Sequence, residues 1–355
     1  MSRSLSYLCY VTCSVLSVVV FVFLLTAIPP SFSANDPNST NVVNSTEKHM
    51  DQFVSHGLYK GPGGNERAKN FIMPSVTGDN TTYIVPVTNT SDPFGILEIY
   101  PTLPNGEVWF FNAENPNDGQ FNRNNETITR NADGSWHVEP GITRMLAFTK
   151  ASQEPSAKIR ESIPANYSRL AQVGHWYNES DWKNVEITGY IKVIPARGFH
   201  NISLANIISF VSRSIAHNPF VQHGCGGSAY HNNIDFDTGR FNFKKEMWHV
   251  DYAVTSDSNA TLGNLVDKWI GFKGVVYNMA NGSVKLESYI DKDSSNRWLK
   301  IAQLVDVGTW GNDMTQCGAR TEGAVISWGS PMIIFKSNYV TYDFKYLSVR
   351  EIIPP

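Results

Sequence analysis

From Ile84 to the C-terminus the chain is a succession of short runs, each apolar or alternating apolar with polar. Gly, Asn, Asp or Pro closes each run. Alternation with a period of two puts successive side chains on opposite faces of a strand, and closely spaced turn residues mark strand ends. The pattern predicts strands over residues 95–100, 107–113, 135–138, 143–149, 185–194, 207–215 and 228–236. It continues over 240–254, 269–279, 283–291, 299–307, 324–336 and 340–351. Only residues 165–173 and 262–268 carry weak helical periodicity. About thirteen short strands with so little helix predict an all-β chain, a two-sheet jelly-roll sandwich with few short helices. No repeat of propeller or solenoid length is present. No linker interrupts the chain after residue 65, so residues 66–355 are expected to form the sandwich. A small β subdomain over 66–149 is the alternative.

The first 34 residues differ from the rest. Residues 5–28 carry no charge, Arg3 precedes them, and Ser31-Phe32-Ser33-Ala34 offers small residues for cleavage. This reads as a secretory signal peptide; an uncleaved signal anchor is the rival, since the stretch is long enough to span a bilayer. Residues 35–65 are rich in Asn, Ser, Thr and Gly and read as a tether. Asn-X-Ser/Thr sequons begin at Asn38, Asn44, Asn80, Asn89, Asn125, Asn166, Asn178, Asn201, Asn259 and Asn281. They fit a glycosylated protein, secreted or held at the cell surface. Beyond the leader only Cys225 and Cys317 remain. In an oxidising compartment they are expected to pair, which the chain-entropy model values at roughly 4–5 kcal/mol.

The charge balance is −3, and removing the leader with Arg3 makes it more acidic by one. With no block of Lys or Arg, nucleic acid is not an expected partner, and membrane contact is expected only through an uncleaved leader.

Strand faces supply the candidate site. One face of the 283–291 strand shows Lys285, Glu287, Tyr289 and Asp291; the other shows Leu286, Ser288 and Ile290. In the 240–254 run, Lys245, Met247, His249 and Asp251 share a face. Arg213 and His217 share another, as do Tyr230 and Asn232. Arg and Lys pair with carboxylates and aromatic rings stack on sugars, so this set predicts a face for a polysaccharide or cell-surface glycan. Tyr230, His217, Lys245 and Glu287 are the expected binding residues. A merely solvated outer face is the alternative.

At Met247-Trp248-His249 and Lys285-x-x-x-Tyr289 the chain resembles alginate-lyase-type polysaccharide lyases of concanavalin A-like fold. Those enzymes order an Arg-rich strand, a Gln-apolar-His triplet and a Lys-Ala-Gly-x-Tyr strand. Here the order is Arg213, His249, Lys285, Tyr289. The resemblance implies β-elimination on an acidic polysaccharide. Tyr289 and His249 would be base and acid, with Arg213 and Lys285 holding the substrate carboxylate. Met247 replaces the family's Gln, and no Glu stands two residues after Arg213. These departures favour the alternative of a non-catalytic, lectin-like or structural surface module. The blocks Trp248-His249-Val250 and Trp269-Ile270-Gly271-Phe272-Lys273-Gly274 also resemble secreted proteins with no assigned activity.

Other chemistries find less support. Retaining glucanases need two carboxylates on one strand face, but Glu246 and Asp251 alternate to opposite faces. No Gly-x-Ser-x-Gly elbow is present. No cofactor is expected. Calcium is the one metal considered, at Asp235 and Asp237 or at Asp291 and Asp293, where oxygen side chains alternate through turns. Asp-rich turns also form for backbone reasons alone.

Overall fold

The computed structural model describes residues 88–116, 118–123, 126–150, 181–195, 206–214, 228–247, 251–255, 261–310 and 325–355. The leader, the tether, His217, Cys225, Trp248, His249, Cys317 and every sequon except Asn89 and Asn281 lie outside these residues.

Fifteen strands occur among the described residues: β1 (Val108–Phe110), β2 (Phe121–Asn122), β3 (Ile128–Arg130), β4 (Trp136–Val138) and β5 (Ile142–Phe148) come first. β6 (Val185–Val193), β7 (Ile207–Ser214), β8 (Ala229–Asp235), β9 (Arg240–Met247) and β10 (Asp251–Val254) follow. β11 (Ile270–Asn278), β12 (Val284–Asp291), β13 (Leu299–Asp306), β14 (Met332–Asn338) and β15 (Tyr342–Glu351) complete the set. They form an eight-stranded sheet, β13-β12-β11-β6-β15-β4-β3 with β1 also on β15, and a seven-stranded sheet, β10-β9-β8-β7-β14-β5-β2. The expected all-β, two-sheet sandwich is the fold. Strands on either side of Thr149 pair in both sheets: β1 and β4 on β15, and β5 on β14.

The core lies between the sheets. Phe210 of β7 meets Phe272 of β11 at 4.7 Å between ring centroids, and Phe241, Phe243, Leu286 and Ile290 are buried with them. Leu286 and Ile290 thus face inward, as the alternation predicts. Gly189 allows the close approach: a Cβ there would stand 2.7 Å from Leu347 and 3.1 Å from Phe210.

A second apolar cluster covers the outer face of the eight-stranded sheet. Ile96, Ile99 and Tyr100 pack there on Tyr190, Val275, Tyr277, Tyr289 and Trp298. Residues 95–100, expected as a strand, run as a covering segment instead. Asp92 Oδ1 accepts from the amides of Phe94 and Ile96, and a carboxylate oxygen of Glu186 accepts from those of Ile99 and Tyr100. These amides are satisfied by side chains, so no ladder is needed.

Residues 262–268, expected as a weak helix, form no helix, and none occurs among the described residues. The amides of Leu262 and Leu265 donate to Gly239 and Phe236 carbonyls instead. Gly263 there has φ +73, which breaks the helical path. The 240–254 run divides into two antiparallel strands, β9 and β10, with Met247 opposite Asp251.

Candidate functional site

The expected site residues separate. Arg213 is on the seven-stranded sheet and Tyr289 on the eight-stranded one, so they share no face. Arg213 has φ +54 at a register shift, and its fully buried guanidinium donates to the carbonyls of Ile326 and Lys183. Its charge is directed at backbone, not at a ligand. Tyr289 is buried beneath the covering segment, and its hydroxyl donates to Glu287 at 2.8 Å. Tyr100 donates to the same Glu287 oxygen at 2.8 Å. Burial, then the Glu287 charge, hold the Tyr289 hydroxyl protonated far above neutral pH. Lys285 and Lys300 neutralise Glu287 at 3.6 and 2.6 Å.

Tyr230 and Lys245 face the inter-sheet core. Both reach Asp306, Lys245 at 2.7 Å, and Trp310 stacks on the Tyr230 ring. They are structural partners of a buried carboxylate. The candidate calcium carboxylates hold their own turns. Asp235 accepts from the Asp237 amide and Thr238, while Asp237 accepts from Asn206. Asp291 accepts from Tyr190 and the amides of Ser295 and Asn296, and Asp293 from Ser295 and Arg297. Among the described residues no cluster of three or more His, Cys, Asp or Glu is placed to hold a metal.

A polar groove lies on the outer face of the seven-stranded sheet. A groove of about 360 Å³ crosses five strands, lined by Val254, Asn242, Lys244, His231, Asn233, Ile207, Ser209, Lys336, Ser337 and Asn338. Alternation explains it: Phe241 and Phe243 turn inward, so Asn242, Lys244 and Glu246 turn outward. Tyr230, Ile234 and Phe236 inward put His231 and Asn233 outward. The Phe241/Phe243 parity was the available sequence signal, and it assigns Lys245 to the core.

The groove floor is a hydrogen-bonded row. Ser209 donates to Asn233 at 2.6 Å, and Asn233 to Asn242 at 2.7 Å. His231 Nε2 lies 3.2 Å from Glu246, which Tyr252 also meets at 3.4 Å. Lys244 Nζ sits 4.1 Å from the centre of the Tyr252 ring. Arg144 borders the row, donating to Ser337 carbonyl and to Asn338. Neither Lys244 nor Lys336 forms an ion pair with a carboxylate among the described residues. Burial, and then the charges of Lys244 and Arg144, push the Lys336 amine down to about 7. Burial likewise lowers the Lys244 amine. The arrangement can receive an extended polar ligand and offers cations to an anionic group on it.

No family model matches the chain, and none of the curated proteins matches it in sequence. Among solved structures it is similar to a Bacillus subtilis protein of unknown function with a galectin-like fold, at 8% identity and TM-score 0.41. That match covers 72% of this chain and 100% of the other. It is similar to basic winged bean lectin with Tn-antigen at 12% identity and TM-score 0.34, covering 68% and 96%. An alginate lyase in complex with an alginate trisaccharide matches at 11% identity and TM-score 0.31, covering 72% and 98%.

Proposed function

We propose that the chain is an extracellular glycan-binding β-sandwich that holds an acidic polysaccharide along the groove of its seven-stranded sheet. One observation carries this reading: Lys244 and Lys336 line a polar groove with no carboxylate paired to either among the described residues. Partly desolvated amines with no carboxylate in ion-pair contact, and with only the more distant Glu246 charge to offset them, favour an anionic ligand over water. The Asn-Ser-Asn row adds donors and acceptors suited to sugar hydroxyls. The extracellular place rests on the leader and the sequons.

Titration calorimetry of the full chain at low salt tests it. A polyuronate should bind and a neutral glucan should not. Lys244→Ala and Lys336→Ala should each weaken polyuronate binding by about tenfold, the worth of one charge-assisted contact. Equal binding of the neutral polymer sinks the reading.

A second reading, elimination at the same groove, has one observation in its favour. An amine titrating near about 7 is poised as a general base, and Arg144 and Lys244 stand beside it to neutralise a uronate carboxylate. New ultraviolet absorbance from an unsaturated sugar, lost in Lys336→Met, decides between binding alone and chemistry.

A further inference from the structure

We propose that Lys336 is a carbamylation site: its amine takes up carbon dioxide, and Lys244 and Arg144 hold the carbamate anion so formed in the groove. The modification stands on the geometry of the groove; its effect on polysaccharide rests on the binding reading above and adds a regulator to it.

Lys336 lies on β14 and Lys244 on β9, with β7 and β8 between them. Adjacent strands lie about 4.8 Å apart, so three spacings separate the two backbones by about 14 Å. Yet the two amines hydrogen-bond to each other. Each lysine arm therefore reaches inward along the outer face of the sheet. Lys336 passes beside Ser209, its register partner on β7, and Lys244 passes beside His231, its register partner on β8. Both lysines line the groove and both are only partly buried, so a small molecule entering the groove meets the pair.

An ammonium has three donors and no acceptor, so a hydrogen bond between two amines needs one of them unprotonated. Lys244 Nζ lies 4.1 Å from the centre of the Tyr252 ring, a contact that favours its cation. Arg144 stands directly opposite Lys336 on β5, so Lys336 has positive charge on two sides. Lys336 is therefore the acceptor, with a lone pair on its nitrogen. Burial, then the charges of Lys244 and Arg144, hold its amine near about 7, and Glu246 on β9 only partly offsets them. Glu246 is itself engaged by His231 and Tyr252. His231 adds no charge at neutral pH, since burial and Lys244 push its ring down to about 3.

A neutral amine beside a cation is a nucleophile. The Nζ lone pair turns from Lys244 to the carbon of carbon dioxide. An N–C bond forms, one C=O π pair moves onto oxygen, and an N–H proton leaves to water. One amine and one carbon dioxide thus give one carbamate anion and one proton, with nothing oxidised or reduced. The Lys244 ammonium then donates to a carbamate oxygen, and Arg144 adds its charge. The Arg144 guanidinium is fixed there by the carbonyls of Thr143 and Ser337 and by Asn338. A carbamate on Lys336 puts an anion where a polyuronate needs a cation, so carbon dioxide and polyuronate compete.

The full chain is incubated with carbon-13 bicarbonate, which supplies dissolved carbon dioxide, at about pH 8, where the Lys336 amine is largely unprotonated. A carbon-13 carbamate resonance should appear, and Lys336→Met should remove it. Alkylation with a trialkyloxonium salt and peptide mass spectrometry should place the carbamate ester on Lys336 of the native chain. Lys244→Met should weaken the resonance several fold, because Lys336 is then more readily protonated and its carbamate loses a donor. At matched pH and ionic strength, bicarbonate in place of chloride should weaken polyuronate binding to the native chain about tenfold. Lys336→Arg, whose guanidinium takes up no carbon dioxide, should bind polyuronate equally in either salt. A native chain with esters on other amines and none on Lys336 overturns the proposal. A Lys336 carbamate with polyuronate affinity indifferent to bicarbonate overturns the competition. A Lys336 carbamate on a chain that binds no polyuronate in chloride overturns the binding reading and leaves the modification standing.

Discussion

Asp306 gathers a phenol, an ammonium and a backbone amide in the sandwich core: Tyr230, Lys245 and Gly308 all donate to it. Both members of the Lys245–Asp306 pair are fully buried. Removing one partner strands the other charge, so Asp306→Ala should cost about 3–5 kcal/mol in urea unfolding. Replacing the pair by Met and Leu should cost much less, and a single variant as mild as the double one would refute the account. Tyr289 is the converse case. Expected as a catalytic base, it donates to buried Glu287, so Tyr289→Phe should lower stability by about 1–2 kcal/mol and leave groove binding unchanged. At this scale the sequence showed which residues share a face, but not which face is inward. Tyr230 and Lys245 read as ligand groups because their buried partner, Asp306, lies 61 residues or more further along the chain. Lys244 and Lys336, far apart in sequence, meet only across folded strands.

Among the elements, residues 95–100 were misread as a strand by alternation, and so were residues 325–331, which precede β14. The apolar residues of the 95–100 segment mimic a strand, but they pack down onto a finished sheet, and Glu186 takes up two of its amides. Arg350 ties it further, to Glu98 at 3.2 Å and to Glu186 at 2.9 Å. A chain beginning after Gly106 should expose Tyr190, Val275 and Tyr277, bind a hydrophobic dye and unfold at lower urea concentration. Unaltered unfolding would show that the cover is dispensable. The long strands β6, β11, β12 and β15 were legible within one or two residues, because Val, Ile, Phe and Tyr alternate along them. β2 and β3 are two and three residues long, too short to carry a period. In β6, Gly189→Ala should cost about 1–3 kcal/mol, read as a lowered melting temperature, since Leu347 and Phe210 leave no room for a methyl group.

Across the whole molecule the two outer faces have opposite fates. One is sealed by the cover, with Lys273, Glu186 and Arg350 paired beneath it; the other presents cations to the groove. That contrast gives a pH signature. The Lys336 amine titrates near about 7 in the fold against an ordinary value of 10.5. Because the fold resists this protonation, stability should decline as pH falls from about 10 toward 7 and level off below, as far as this group contributes. Binding runs the other way. Below about pH 6 the amine is charged before the ligand arrives, whereas above about 7 an anion must bring a proton with it. Polyuronate affinity should therefore fall from pH 6 to 8, with proton uptake visible in buffers of different ionisation enthalpy. A flat profile would remove Lys336 from the site. The two-sheet class was legible from turn spacing, but the choice of open face depended on the cover, which resembled one more strand.

β15 sits between β6 and β4 and also holds β1, while β14 sits between β7 and β5. The last two strands in chain order are thus interior members of both sheets. A nascent chain cannot complete either sheet until β14 and β15 emerge, so the strands before them must wait incompletely paired, or guarded by chaperones, until then. A premature stop before Tyr342 would remove no dispensable margin. It would split the larger sheet at β15 and leave two raw ladder edges to seek partners in other chains.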